Sequence, residues 1–311
     1  MKSASVAYVV GLGLLLLAPT LLYPVLVMKV LCFALFACAF NLLLGYTGLL
    51  SFGHALFFGS ATYLTGYALK AWQVPTLAAI ALGVLGAATL GWIVGALAIR
   101  RQGIYFAMIT LALAQLMYFI LLKSPFSGGE DGLQGVPRGT LFGLDLADDY
   151  TLYYVVASLF AGALWLIHRT IHSPFGQTLK AIRENEARAV SLGYDVDKYK
   201  LLAFVLSAAL AGLAGGIKTL LFGFATLSDA HWHTSGEVVL MTLLGGMGTV
   251  LGPIVGAGVV VTLQTELAEK VGALVTVMMG LIFITCVLVF RRGIVGEGIA
   301  LYQRMIGEKV R

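Results

Sequence analysis

Nine apolar runs constrain this chain more than any other feature of its sequence. They cover residues 6–22, 25–44, 48–69, 76–98, 103–122, 151–168, 201–222, 236–266 and 273–290. A helix needs about 20 such residues to cross the hydrocarbon core. With no water there to satisfy backbone N–H and C=O groups, only helices and closed barrels can span it. Runs of this length and composition predict an all-α polytopic membrane protein, a single transmembrane domain over residues 1–311. Only 11% of the residues are charged and 59% are hydrophobic, against about 25% charged in a soluble domain. The first run follows Lys2 in the manner of a signal peptide, but it lacks a small-x-small cleavage site and leads straight into a second span. It reads as an uncleaved first helix.

The run from Glu237 to Glu266 is too long for one ordinary span and is interrupted by LGGMGTVLGP, Leu244 to Pro253. It predicts two short or re-entrant helices, which brings the count to about ten. Placing both termini in the cytoplasm then puts 14 of the 20 basic residues on that side, as the positive-inside rule asks. The external loops keep Lys70, Lys123, Arg138 and Lys270, while Lys29 and Lys218 lie near outer helix ends where they could snorkel. Membrane orientation thus accounts for the basic balance, and no nucleic-acid partner is expected. Cys32, Cys38 and Cys286 sit inside apolar runs and read as small buried hydrophobes.

The longest charged interval is Arg169 to Lys200, with ten Lys, Arg, Asp or Glu among its 32 residues. Ser173 is placed to cap a helix with Pro174 at its first position. Phe175, Leu179, Ile182 and Ala189 fall roughly on one face, Gly193 supplies a stop, and Asp195 or Asp197 can cap the helix that follows. A short amphipathic helix between two spans on the charged side is expected to dock a soluble partner.

Gly45, Gly48, Gly53 and Gly59, with Ser51 and His54 among them, interrupt the 48–69 run. Glycine weakens a helix by ~1 kcal/mol relative to alanine. Non-helical backbone at this depth needs protein or a water-filled cavity around it. A polar pathway and close helix packing are both open readings here. The loop Ser124–Tyr150 carries five carboxylates and one arginine, and is long enough to cap the outer mouth or receive a soluble partner. His168 and His172 have metal-ligand spacing without a third ligand. His231 and His233, with Asp229 and Glu237, form a second polar cluster, read as an outer gate or a solvated turn. No catalytic set, cofactor or metal site is expected. No G-x-x-x-x-G-K-[ST] is present to bind ATP, and no file of intramembrane charges of the kind a proton-driven pump needs. A transporter of this kind would borrow its energy through the docking helix.

Four ordered blocks carry a resemblance: GYTGLLSFGHALFFGSATYLTGY (45–67), RRQGIYFAMITLALAQLMYFILL (100–122) with SGGEDGL (127–133), SPFGQTLKAIRENEARAVSLGYDVDKYKLLAFVLSAALAGLAGG (173–216) and LLGGMGTVLGPIVGA (243–257). Together they resemble the LivM-type permeases of branched-chain amino acid ABC importers. The resemblance implies a LivH-type partner permease, two cytoplasmic ATPase subunits, a periplasmic substrate-binding protein and the bacterial inner membrane as location. It makes 169–200 the coupling loop. Leu179, Ile182, Arg183, Glu186, Ala187 and Gly193 are its expected ATPase-docking residues, although Arg188 interrupts the small-residue run of the E-A-A-type motif. Gly48, Ser51, Gly53, His54, Gly245, Gly246 and Gly248 are expected on the translocation pathway. The substrate is expected to be a branched-chain or related amino acid, with urea or a short amide as the alternative. A stand-alone channel or secondary carrier is the reading outside this class.

Overall fold

The computed structural model describes residues 13, 15, 17–20, 22–141, 143–289 and 293–298. Most of the first expected span, Lys2 and the basic tail from Arg291 lie outside them, and with them the expected cytoplasmic termini. Eleven α-helices are described: α1 (Pro24–Thr47), α2 (His54–Lys70), α3 (Thr76–Ala98), α4 (Ile104–Lys123), α5 (Asp149–His172), α6 (Pro174–Glu184), α7 (Glu186–Ser191), α8 (Val196–Phe222), α9 (Trp232–Gly245), α10 (Gly252–Val271) and α11 (Val275–Val289). Five of them, α1, α3, α4, α5 and α8, are long and apolar enough to cross a membrane. The protein is an all-α, multi-pass membrane protein.

Two helices make the core. α8 packs along α1, α2 and α3, and α1 also receives α5, α9 and α10. Their small residues permit this closeness. A β-carbon on Gly59 would lie 2.6 Å from the Ala230 backbone, and one on Gly91 only 2.5 Å from the Ala208 side chain. Where lipid is as apolar as the protein, helices gain from contact through such small surfaces. Phe36, Phe40, Phe57, Phe58 and Phe204 fill the space between α1, α2 and α8 and are fully buried.

Both irregular runs break, and the two breaks differ from a plain span in the same way. The 236–266 run is α9 and α10, joined by a turn at 246–251. The 48–69 run is helical only from His54. α1 ends at Gly48, whose left-handed φ of 77° suits a residue without a β-carbon. The chain then folds back over residues 48–53. Its free N–H groups are met by side chains: Gly53 N donates to Ser51 Oγ (3.2 Å), Phe52 N to Thr110 Oγ1 (3.2 Å) and Ala55 N to Ser235 Oγ (2.8 Å). The first turn of α2 thereby sits beside Phe40, well inside the length of α1.

Two sequence expectations change, and the 124–150 loop gains detail. The amphipathic helix after Ser173 is two helices, because Asn185 (φ −158°, ψ 96°) leaves the helix and its side chain caps the next one at Arg188 N, 3.0 Å away. A residue that can bond its own following backbone competes with helix continuation. Lys218 does not snorkel. It is 5% exposed and pairs with Asp229 at 2.7 Å. The 124–150 loop is ordered, with a short hairpin (Thr140–Leu141 with Leu144–Asp145), a bridge from Leu133 to Ala225 and an Arg138–Asp149 pair at 2.7 Å.

Candidate functional site

The charged interval folds as its punctuation predicts at both ends. Ser173 accepts from Gly176 N at 3.3 Å with Pro174 at the first position of α6. Gly193 adopts φ 87° after α7, and Asp195 caps α8 by accepting from Lys198 N at 3.3 Å. The Lys198 side chain pairs with Asp195 at 2.7 Å. That side chain first, and its backbone N–H second, hold the exposed Asp195 carboxyl below the usual carboxylate range.

The six docking candidates separate into inward and outward groups. Leu179 and Ile182 are buried, Ile182 in a small apolar cluster with Ala189 of α7 and Val196 at the start of α8, while α6 as a whole packs on α1 and the end of α5. Arg183 also reaches inward: its guanidinium donates to the Gly45 carbonyl at the end of α1. The same side chain lies against Gly48, its Cγ 3.3 Å from where a β-carbon would stand, and against Gly248 in the α9–α10 turn. Glu186 is held by Lys200 at 2.7 Å and by Gln102 Nε2 at 2.9 Å. Lys200 itself is buried, so this ion pair ties α7 to the base of α8. Ala187 and Gly193 point away from the bundle. Beside them sequence reasoning missed an exposed apolar edge of Val190 (58%), Leu192 (71%) and Tyr194 (42%). Its signal was available, as three apolar residues spaced by two at the end of a polar helix.

The pathway candidates fall into two groups. Gly48, Gly245, Gly246 and Gly248 gather where Arg183 reaches the bundle. Here Asn41, also missed from the sequence, clamps the turn. Its Nδ2 donates to the Thr249 carbonyl (2.8 Å) and its Oδ1 accepts from Gly248 N (2.9 Å). A lone amide in an apolar helix was the sequence signal for it. Gly248 takes φ 79°, which such a turn demands. Ser51, Gly53 and His54 lie deeper, enclosed by protein. His54 is packed edge-on between Phe40, Phe57 and Phe204. Ser207 spends its hydrogen on the Ala39 carbonyl (2.5 Å), so His54 Nε2 is the donor to Ser207 Oγ at 2.8 Å.

The histidine pairs behave as local structure. His172 Nδ1 donates to the His168 carbonyl at 2.8 Å. No group of three His, Cys, Asp or Glu able to hold a metal exists among the described residues. Of the 229–237 cluster, Asp229 is taken by Lys218, Thr226 N and Thr226 Oγ1, while His233 and Glu237 face out of the bundle on α9 with 57% and 24% of their side chains exposed.

The chain is similar to known proteins. Over 269 residues the chain is 29% identical to the high-affinity branched-chain amino acid transport system permease protein LivM of Salmonella typhimurium, covering 77% of this chain and 62% of that one. The LivM of Escherichia coli K12 matches to the same extent. The autoinducer 2 import system permease protein LsrC of Salmonella choleraesuis is 31% identical over 204 residues, 62% of this chain and 53% of that one. The chain thus spans 62% of the length of these LivM relatives. No solved structure matches it. Residues 25–290 match the family described as branched-chain amino acid transport system, permease component, and the chain belongs to that family.

Proposed function

We propose that this chain is the membrane-spanning permease subunit of an ABC importer that moves branched-chain or related amino acids into the cytoplasm. It makes about ten crossings, with the α6 end of the bundle and both termini cytoplasmic in the inner membrane. The LivM relatives, named as branched-chain amino acid permeases, support the substrate class. A LivH-type permease, two ATPase subunits and a periplasmic binding protein complete the assembly in this reading.

The observation that carries the reading is the division of labour on α6 and α7. Leu179 and Ile182 seat α6 on the permease body. Arg183 joins it to the end of α1 and to the α9–α10 turn. Ala187, Val190, Leu192, Gly193 and Tyr194 remain outward, an apolar edge of the kind a partner covers. When ATP draws two ATPase subunits together, a helix held on both sides moves as a rigid lever. Arg183 passes that movement to Gly45, Gly48 and Gly248, and Asn41 carries it into α1. In this mechanism Gly48, Ser51, Gly53, His54, Gly245, Gly246 and Gly248 form the wall and hinges of the route.

Uptake of labelled leucine in cells with and without this gene, with unlabelled valine and urea as competitors, tests the reading. Leucine uptake falls on deletion, and valine but not urea competes. Unchanged leucine uptake with lost urea uptake would move the substrate to short amides, and unchanged uptake of both would remove the proposal. Leucine transport by the chain alone in liposomes without ATP would replace it with a carrier.

A further inference from the structure

α9 starts inside the membrane rather than at its surface. Ala230, just before it, packs on Gly59 within α2, and Ser235 in its first turns accepts from the N–H of Ala55 at the start of α2 (2.8 Å). The polar residues that follow therefore stand at membrane depth. They meet others from two neighbouring helices. Gln264 Nε2 of α10 donates to Glu237 Oε1 at 3.0 Å, His233 Nδ1 is 3.7 Å from the same oxygen, and Lys29 Nζ of α1 donates to Thr265 Oγ1 at 3.2 Å. Lys29 is the sixth residue of α1, about 8 Å inside its end at 1.5 Å per residue. Gln264 lies a similar distance inside the end of α10.

This cluster is not buried in the bundle, and of its members only His233, the second residue of α9, lies at a helix terminus. Lys29, Glu237 and Gln264 are half-buried and His233 is exposed, all on one side of the α1–α9–α10 face. Ionisable groups at such depth turn to a protein interior or a water-filled cavity, not to hydrocarbon. Glu237 and Lys29 are within electrostatic reach of each other but make no direct ion pair. An ammonium and a carboxylate, each half-buried and hydrogen-bonded to a neighbouring helix, match the two ends of a zwitterion. Trp232, exposed at the same end of α9, offers apolar surface for its side chain.

We propose that the α1–α9–α10 face lines the translocation route and that Glu237 and Lys29, with Gln264 and His233 beside them, form a binding station for a zwitterionic amino acid. Glu237 receives the ammonium and Lys29 the carboxylate. This deepens the permease reading and rests on it for the solute, while the water-lined face stands on its own geometry.

The test uses the full assembly in membranes, with Cys286→Ser as background because Cys32 and Cys38 are buried. A charged, membrane-impermeant methanethiosulfonate should label Gln264→Cys at least about tenfold faster than Leu85→Cys, which sits exposed on α3 in a lipid-facing position. Saturating leucine should slow that labelling. Equal labelling at the two positions means the face lies against lipid or another protein, and overturns the proposal whatever the solute. Glu237→Gln and Lys29→Gln should each cut leucine uptake by at least about tenfold, with ATP hydrolysis and membrane levels retained, and Glu237→Asp should recover part of it. Wild-type uptake in Glu237→Gln overturns the station. Failure of the wild-type assembly to move leucine, with fast labelling of Gln264→Cys, instead overturns the substrate class and leaves the route in place.

Discussion

Lys218 and Lys29 each lie near a carboxylate from a neighbouring segment, and the two arrangements are built to opposite specifications. Lys218 and Asp229 touch at 2.7 Å. The ammonium also donates to the Phe224 carbonyl and lies 4.4 Å over the Phe224 ring, and the carboxylate accepts from Thr226 N and Oγ1. Every strong interaction is already made. Lys29 donates to Thr265 of the facing helix, while Glu237 accepts from Gln264 and has His233 Nδ1 3.7 Å away, and both residues are half-buried. The first pair fastens the 223–231 segment to α8. The second keeps its charges available. Burial and partner count, not residue type, separate a fastening from a site.

The largest effect should come from breaking the closed pair. Asp229→Asn or Lys218→Met leaves an uncompensated buried charge, which costs about 3–5 kcal/mol. Thermal unfolding of the purified protein should show it, while Lys218→Met/Asp229→Leu recovers most of the loss. Glu237→Gln should leave the melting temperature nearly unchanged, and equal destabilisation in the two cases would erase the distinction.

Next is the Asn41 clamp. Asn41→Leu leaves Gly248 N and the Thr249 carbonyl unmet; both are only part-buried, so the loss should be about 1–3 kcal/mol in all. Gly45→Ala would set a β-carbon 2.8 Å from Gly248 N, an overpacking of about 1–3 kcal/mol. Both should loosen the α9–α10 turn, measured as faster proteolysis at 246–251, without altering the Lys218–Asp229 fastening.

Arg183→Ala should separate coupling from folding. The residue is largely exposed, so stability should change by under about 1 kcal/mol. ATP hydrolysis in the assembly should continue while leucine uptake falls severalfold. Leu179→Asp/Ile182→Asp, which unseats α6, should lose both the coupling and the helix, read by uptake and by protease accessibility of 174–191. Retained coupling in either variant would detach α6 from the mechanism.

The smallest effect is at Asp195. Its folded carboxyl is held below its ordinary value. Its contribution is therefore complete above the unfolded value of about 3.9 and fades as pH falls through the lower folded value. Asp195→Asn keeps an N-cap and should remove only that acid dependence of melting, with no change near neutrality.

Local chemistry made much of this legible. The Ser173 cap, the Pro174 start, the Gly193 stop, the Asp195 cap and the break within 236–266 depend on neighbours a few residues apart, and each stands where the sequence placed it. The direction in which Arg183 and Glu186 point was not legible, because their partners, Gly45 and Lys200 with Gln102, are supplied by other helices. Asn185 as a break was missed for the opposite reason: a helix-period pattern continued through it, and one side chain capping the following turn prevailed over the pattern.

The amino-acid sequence by itself determined that the chain is a helical membrane protein, where its helices are punctuated and which interval carries the amphipathic, charged segment. Those properties follow from apolar length and short-range hydrogen bonding. Only the tertiary structure decided which charges are spent. Lys218, like Lys29, reads from the sequence as a lysine near a helix end, yet one meets Asp229 from a folded-back segment and the other meets only Thr265. That distinction rests on distances between residues far apart in the chain, set by how α1, α8, α9 and α10 pack.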